Sequence, residues 1–259
     1  MFFWKTMKPS LVRLSLAAAL CCSMLTVSAA TTDHSASKYK TDLPPSADLS
    51  YAIQAKQSGI TLGGEGSVKW QADGKHFSVK SETRAMLFGK ILEASSEGTI
   101  DSFGLAPTQF INKRFRKEAT TTTFHRDSGT IGFSESSESY PIKGGEQDRT
   151  SIIWQLISVA RAAPQQFKPG SEWTFFVAGM RDAEPWTFKV VNTEKIKTPL
   201  GDLDAVHIFK APPPDAKDQQ LDIWLAPSLE WYPVRLRFTD PNKDFVEQTL
   251  QQVSNKGDK

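Results

Sequence analysis

The distribution of hydrophobic positions predicts a single helix in a chain that otherwise forms strands. Within residues 148–163, apolar residues recur at spacings of three and four, the period of an α-helix, and leave only a narrow polar seam. Such a helix needs cover on most of its circumference. Asp148 can cap the free N–H groups of its first turn, and Pro164 prevents the helix from continuing.

Most other segments alternate apolar and polar residues, the period of two that marks a strand with one face in water. Turn sequences such as Ala72-Asp73-Gly74-Lys75 join neighbouring strands into hairpins. The pattern predicts a mainly β fold, in which an extended antiparallel sheet curls into a partly open barrel or spiral around one central α-helix. Two stacked sheets are the alternative. The predicted strands are 49–56, 67–71, 76–82, 90–100, 107–116, 118–125, 173–177, 186–194, 203–209, 221–225, 232–238 and 245–253.

The two ends of the chain differ in composition from the middle. Residues 1–29 combine three cations, a short apolar run and a small-residue cleavage motif, which is typical of a bacterial export signal, with a membrane anchor as the alternative. Both cysteines, Cys21 and Cys22, lie in this signal, so the exported chain would contain no thiol. We expect a flexible lead at 30–45, one domain at 46–253, a polar tail at 254–259, and a location in the periplasm.

The charge balance argues against a general attraction to nucleic acid. The whole chain has 31 Lys and Arg and 29 Asp and Glu. Because three of the cations belong to the predicted signal, the exported chain would carry 28 cations against 29 acids. No nucleic-acid partner and no stable membrane anchor are expected after signal cleavage.

Several short motifs stand out along the exported chain. They are Leu62-Gly63-Gly64-Glu65-Gly66, Gly104-Leu105-Ala106-Pro107, Gln147-Asp148-Arg149, Ala183-Glu184-Pro185-Trp186, Trp224-Leu225-Ala226-Pro227 and Trp231-Tyr232-Pro233-Val234-Arg235. Together they resemble the motifs of exported bacterial proteins grouped as domain of unknown function 3108. The resemblance covers roughly residues 44–253 and implies a periplasmic, β-rich protein of unassigned activity, and it supplies no catalytic residues. By architecture alone, the predicted fold also resembles periplasmic lipoprotein carriers, whose curled sheet and helix enclose an apolar cavity.

The sequence contains no recognisable catalytic or cofactor-binding motif. It has neither a nucleophile elbow, nor a phosphate-binding glycine loop, nor a spaced histidine pair for a metal. His34, His76 and His207 are scattered singly, and each is expected to be solvated. We therefore expect a non-enzymatic protein without cofactor or metal.

Aromatic and aliphatic side chains near the helix are the first candidate for a binding site. They fill the core by default, but line an apolar cleft if the curled sheet is too wide for one helix to fill. Arg149, beside the positive end of the helix dipole, could hold the anionic head group of a ligand, or could form a structural salt bridge. The candidate ligand-binding residues are Trp154, Leu156, Trp173, Phe175, Trp224 and Arg149.

A basic segment is the second candidate. Lys113, Arg114, Arg116 and Lys117 place cations on both faces of one predicted strand, which indicates either a protected sheet edge or a surface for anionic lipid or polysaccharide. Two hypotheses follow. The protein binds or carries a hydrophobic ligand such as a lipid in support of the cell envelope, or it docks an envelope protein through an exposed strand edge or this basic hairpin.

Overall fold

A computed structural model describes residues 34–210 and 220–255. Three predicted segments lie outside these residues: the signal at 1–29 with its two cysteines, the start of the lead, and the end of the tail. The helix α1 spans Ser151–Ala162, and short 3₁₀ turns follow at Pro164–Gln166 and Pro227–Leu229. The strands are β1 Ala47–Gln57, β2 Ile60–Ala72, β3 His76–Ala85, β4 Gly89–Asp101, β5 Gly104–Arg114, β6 Thr120–His125, β7 Thr130–Phe133, β8 Ser136–Pro141, β9 Gln147–Asp148, β10 Glu172–Ala178, β11 Ala183–Thr198, β12 Gly201–Lys210, β13 Gln220–Leu225, β14 Pro233–Thr239 and β15 Phe245–Asn255.

All of these strands belong to one long sheet. Its order is β8-β7-β6-β5-β4-β3-β2-β1-β15-β14-β13-β12-β11-β10-β9. Neighbours are antiparallel except for the short β9, which runs parallel to β10. The first and last strands pair with each other, Leu49 opposite Val253. The sheet therefore has an N-terminal arm, β1–β8, and a C-terminal arm, β9–β15, and no hydrogen-bonded pairing between β8 and β9 closes it into a barrel.

The two arms curl over the helix. The register shifts in several ladders, for example between Thr83 and Arg84 and between Val190 and Asn192, and such irregularities increase the local twist of a sheet. Buried residues from both arms form one core with α1, including Trp70 of the first arm and Phe188 of the second. Trp70 stacks on Trp154 of the helix with ring centres 4.5 Å apart. The predicted mainly β fold with one helix and an unclosed sheet is confirmed.

The far ends of the arms also contact each other, through side chains rather than through a ladder. Phe124, Ile131 and Tyr140 of the first arm share a small apolar cluster with residues of β10 and β11. The hydroxyl of Thr122 donates to the carbonyl of Gly179 at 2.7 Å. The strands β7, β8 and β9, which the pattern did not predict, are the short elements that bring these ends together.

The polar seam of the helix serves a structural purpose. Gln155 is fully buried; its side chain accepts a hydrogen bond from the backbone N–H of Leu105 at 2.9 Å and donates to the carbonyl of Phe103 at 2.7 Å. These bonds tie the helix to the start of β5. Buried backbone groups need such partners, and Gln155 in the seam supplies them for Phe103 and Leu105.

The segment before β1 differs from the flexible lead that we expected. Residues 34–45 pack against the body and make specific hydrogen bonds. The backbone N–H of Asp42 donates to the carbonyl of Ser158, and the indole of Trp70 donates to the carbonyl of Pro44. These bonds attach the segment to the helix at Ser158 and to β2 at Trp70.

Candidate ligand-binding site

The site begins at the turn that leads into the helix. Asp148 is fully buried, and one carboxylate oxygen accepts hydrogen bonds from the backbone N–H groups of Thr150 at 2.7 Å and Ser151 at 2.9 Å. The other oxygen accepts from the hydroxyl of Ser96 at 2.5 Å. The capping role predicted for Asp148 is thus confirmed, although the helix itself begins three residues later than predicted. This network also fixes the backbone on either side of Arg149.

The buried position of Asp148 changes its acidity. Burial disfavours the charged carboxylate and raises the pKa of Asp148 from 3.8 to about 6, while the hydrogen bonds from Ser96, Ser151 and Thr150 act in the opposite direction. The carboxyl group therefore changes its protonation state in mildly acidic solution.

A cavity of about 260 Å³ lies at the first turns of the helix and is lined by residues of both arms. It exceeds the cavity of about 150 Å³ that holds a benzene molecule in a protein core, and it lies near the lower limit of about 300 Å³ for ligand pockets. The wall is mainly apolar. Its apolar side chains include Val68, Val79, Leu92, Ala94, Phe110, Ile153, Trp154, Leu221, Leu236 and Phe238.

Cationic groups stand among these apolar side chains. Arg114, Arg149 and Lys210 all line the cavity. The guanidinium carbon of Arg149 lies 5.9 Å from the ring centre of Trp186, and the amine of Lys210 lies 4.4 Å from the same ring. Trp186 thus holds two cations at one side of the cavity, because the face of an indole ring attracts positive charge.

Gly179 gives Arg149 the space that it occupies. A Cβ atom at position 179 would stand 3.0 Å from Nε of Arg149. This contact is closer than most Cβ contacts in proteins, so a larger residue at Gly179 would require the guanidinium to shift.

The acidic group in the cavity wall is already paired. Glu82 contacts the amine of Lys90 at 2.6 Å and the guanidinium of Arg84 at 2.8 Å. Hydrogen bonds from Lys90 and Arg84, in that order of strength, lower the pKa of Glu82. Lys210 lies 3.7 Å from a carboxylate oxygen of Glu184, so Arg114 and Arg149 are the lining cations that suit an anionic group on a ligand.

The family model described as "Protein of unknown function (DUF3108)" matches residues 48–250. The chain belongs to this family. No curated protein matches the sequence. Among solved structures, the DUF3108 chain is similar to a β-barrel-like protein of domain of unknown function DUF1849 from Brucella abortus, with a TM-score of 0.55 and 14% identity over 83% of this chain and 99% of that one. The likeness supports the fold alone.

A second similar structure is a domain from Vibrio parahaemolyticus that is named for outer membrane lipoprotein sorting. The match covers 83% of the DUF3108 chain and 87% of the Vibrio domain, at 8% identity. Its TM-score of 0.32 is too low to support an argument about the present fold. The described residues of the DUF3108 chain contain no helix with the length and apolarity of a membrane span.

The structure brings only some of the predicted binding residues to the cavity of the DUF3108 chain. Trp154 and Arg149 line it. Leu156 and Phe175 lie fully buried in the core, and Trp173 stacks on Phe167 with ring centres 4.7 Å apart. These three side chains belong to the core and do not line the cavity.

Trp224 is a further correction. It stacks on His207 with ring centres 4.4 Å apart, and its indole donates to Glu194 at 2.6 Å, away from the cavity. Leu221, Ile223 and Leu225 place large apolar side chains at alternate positions of the same strand, and alternation turns Trp224 to the other face. The sequence therefore contained the signal that excludes Trp224.

Two of the histidines predicted to be solvated have specific partners. The ring of His34 lies 2.9 Å from a carboxylate oxygen of Glu146 and stacks on Phe176 with centres 3.7 Å apart. His207 likewise lies 2.8 Å from Asp222. Burial disfavours ionisation of Glu146, but its hydrogen bonds, above all from His34, outweigh burial and lower the pKa of that carboxyl.

The basic segment lies at the end of a paired strand and in the turn that follows. Lys113 and Arg114 end β5, which is hydrogen-bonded to β4 on one side and β6 on the other, while Arg116 and Lys117 belong to the exposed turn. The interpretation as a protected sheet edge is wrong, because the sheet ends at β8 and β9. The cations are tolerated because they lie at the strand end, where all four are exposed to solvent.

Proposed function

We propose that this protein is a non-enzymatic, exported binder of an amphipathic molecule, one with a hydrophobic chain and an anionic group. The observation that supports the proposal is the apolar cavity with cations among its lining residues. The chain of the ligand would lie in the cavity. Its anionic group would lie near Arg149.

The wall of the cavity suits a hydrocarbon chain. Alternate residues of the first arm, such as Val68 on β2, Val79 on β3 and Phe110 on β5, face it with apolar side chains. Ile153 and Trp154 close it from the helix side. Filling this space with hydrocarbon would remove apolar surface from water, which contributes about 0.8 kcal/mol for each methylene group.

The cations suit an anionic head group because their orientation is set before a ligand binds. The Asp148 network holds the backbone at Arg149, and Trp186 lies beside both Arg149 and Lys210. An arginine guanidinium offers two parallel donors to a carboxylate or phosphate. Export to the periplasm, which the predicted signal at 1–29 implies, would expose the protein to the lipids of the cell envelope.

A cavity-filling variant provides the direct test. Ala94 faces the cavity, whereas the next residue on the strand, Ser95, faces the opposite side of the sheet. In Ala94→Leu the added carbons occupy space that about three methylene groups of a ligand would fill, so affinity should fall more than about tenfold. Ser95→Leu is the matched control and should bind as the wild type does.

The measurement is a fluorescence titration of residues 30–259 with dansylundecanoic acid. Equal affinity of the wild type, Ala94→Leu and Ser95→Leu would contradict binding in this cavity.

The cationic part of the site is tested separately with Arg149→Gln, which should weaken binding of the acid but not of its uncharged methyl ester. Native mass spectrometry of protein purified from the periplasm would then identify a natural ligand by its mass.

A further inference from the structure

Two hairpin turns of the N-terminal arm present large apolar side chains to solvent. We call Met86, Leu87, Phe88 and Phe115 the tip surface; their exposed fractions are 83%, 81%, 60% and 43%. Single exposed apolar residues are ordinary, whereas several in contact mark an interaction site. Here the rings of Phe88 and Phe115 lie 6.4 Å apart, so the two turns form one continuous surface.

The sheet places these turns side by side. Strands β4 and β5 are paired, with Leu92 opposite Arg114, and the backbone N–H of Phe115 donates to the carbonyl of Ile91 at 2.8 Å. The turn between β3 and β4 and the turn between β5 and β6 therefore project from the same end of the sheet. The tip surface is thus made of hairpin turns and not of a strand face.

The charge around the tip surface is positive. Residues 82–93 and 113–118 contain six cations and three acids, a net charge of +3, whereas the entire chain has a net charge of only +2. Arg116 lies over the ring of Phe115, with its guanidinium carbon 4.9 Å from the ring centre. Lys113, Arg114 and Lys117 are exposed nearby.

We propose that the tip surface docks the protein on an anionic lipid bilayer. Apolar side chains at hairpin turns can enter the boundary between head groups and acyl chains, while the surrounding cations contact anionic head groups. Long cationic side chains suit this position because their stems can lie along apolar surface. A partner protein fits less well, because standard protein interfaces bury about 800 Å² on each side and need a broader surface.

The position of the tip surface also gives the cavity a route to the bilayer. Thr83, Leu92 and Arg114 form one row across β3, β4 and β5, and all three line the cavity. Arg114 is exposed, so the lining of the cavity reaches the surface at this residue, which directly precedes Phe115. Delivery along this route rests on the proposed function, whereas docking itself does not.

Vesicle co-sedimentation of residues 30–259 tests the docking. The wild type should sediment with vesicles of phosphatidylglycerol and phosphatidylcholine, and much less with phosphatidylcholine alone. The triple substitution Met86→Ser, Leu87→Ser and Phe88→Ser should reduce the partition coefficient at least about tenfold. Its control is Leu200→Ser with Val191→Ser, two side chains of similar exposure, 44% and 43%, on and next to β11 of the other arm.

A charge variant tests the second half of the surface. Arg116→Asn with Lys117→Gln should weaken binding to the anionic vesicles about thirtyfold and leave binding to phosphatidylcholine unchanged. Asn suits position 116 because the backbone there has a φ of 55°. The control replaces Lys168 and Lys197, two exposed cations of the C-terminal arm, with Gln.

Three outcomes would overturn the docking: a wild type that stays in solution with anionic vesicles, apolar and charge variants that sediment as the wild type does, or controls that lose binding equally. Thermal melting verifies that each variant is folded. Ala94→Leu is included because it should dock normally. Ala94→Leu should therefore lose probe binding and still sediment with the vesicles. The two assays thus test the cavity proposal and the docking proposal independently.

Discussion

Asp148→Asn should remove a large part of the pH dependence of stability. The folded protein holds a proton on Asp148 up to a pH of about 6, whereas the unfolded chain releases it near 3.8. Asp148 therefore stabilises the fold below pH 3.8, and this stability is lost as the pH rises through the folded pKa. The difference of about two pKa units corresponds to about 3 kcal/mol in the free energy of unfolding.

The substitution keeps the geometry of the site. The amide oxygen of an Asn side chain can accept the bonds from Thr150 and Ser151, and its NH₂ group can donate to the hydroxyl of Ser96, which now donates to Asp148. Because the amide is neutral at every pH, the variant avoids the cost of a buried charge. From pH 4 to pH 7, the free energy of unfolding of the variant should therefore rise by about 2 kcal/mol relative to that of the wild type.

Urea unfolding followed by tryptophan fluorescence measures this gain at each pH. The informative quantity is the difference between variant and wild type, since the other titrating groups cancel. Asp127→Asn, at an exposed turn position, controls for the loss of one charge. A difference that stays constant from pH 4 to pH 8, or that moves against the variant, would refute the argument that burial dominates at Asp148.

Three further substitutions test the packing of the helix. Leu156→Ala should lower the free energy of unfolding by about 2–5 kcal/mol because it leaves a cavity in the core, whereas Leu87→Ala at an exposed turn should change it by less than about 0.5 kcal/mol; urea unfolding compares the two. Gln155→Ala removes the acceptor of the Leu105 N–H and should cost about 1–3 kcal/mol, visible also as faster amide exchange at Leu105. Gly104→Ala should lower the melting temperature by several degrees, since the backbone there has a φ of +100° and a Cβ would stand 2.5 Å from the side-chain oxygen of Gln155; an unchanged melting temperature would contradict this contact.

The sequence alone was sufficient for the fold class and for the central helix. The period of three and four within 148–163 and the alternation along β1 to β5 are local properties, and each follows from which side chains a helix or a strand turns to one face. The same local reasoning identified Asp148 as a cap and Arg149 as a residue beside the helix start.

Only the tertiary structure decided where the cavity lies. An apolar residue looks the same in sequence whether it fills a core or lines an opening. Leu156 fills the core and Trp154 lines the cavity because the two residues, two positions apart, lie on different sides of the helix. The partners of His34 and the pairing of β5 on both sides also depend on residues far away in the chain. Such long-range contacts are set by how the sheet curls, and no local pattern encodes that curvature.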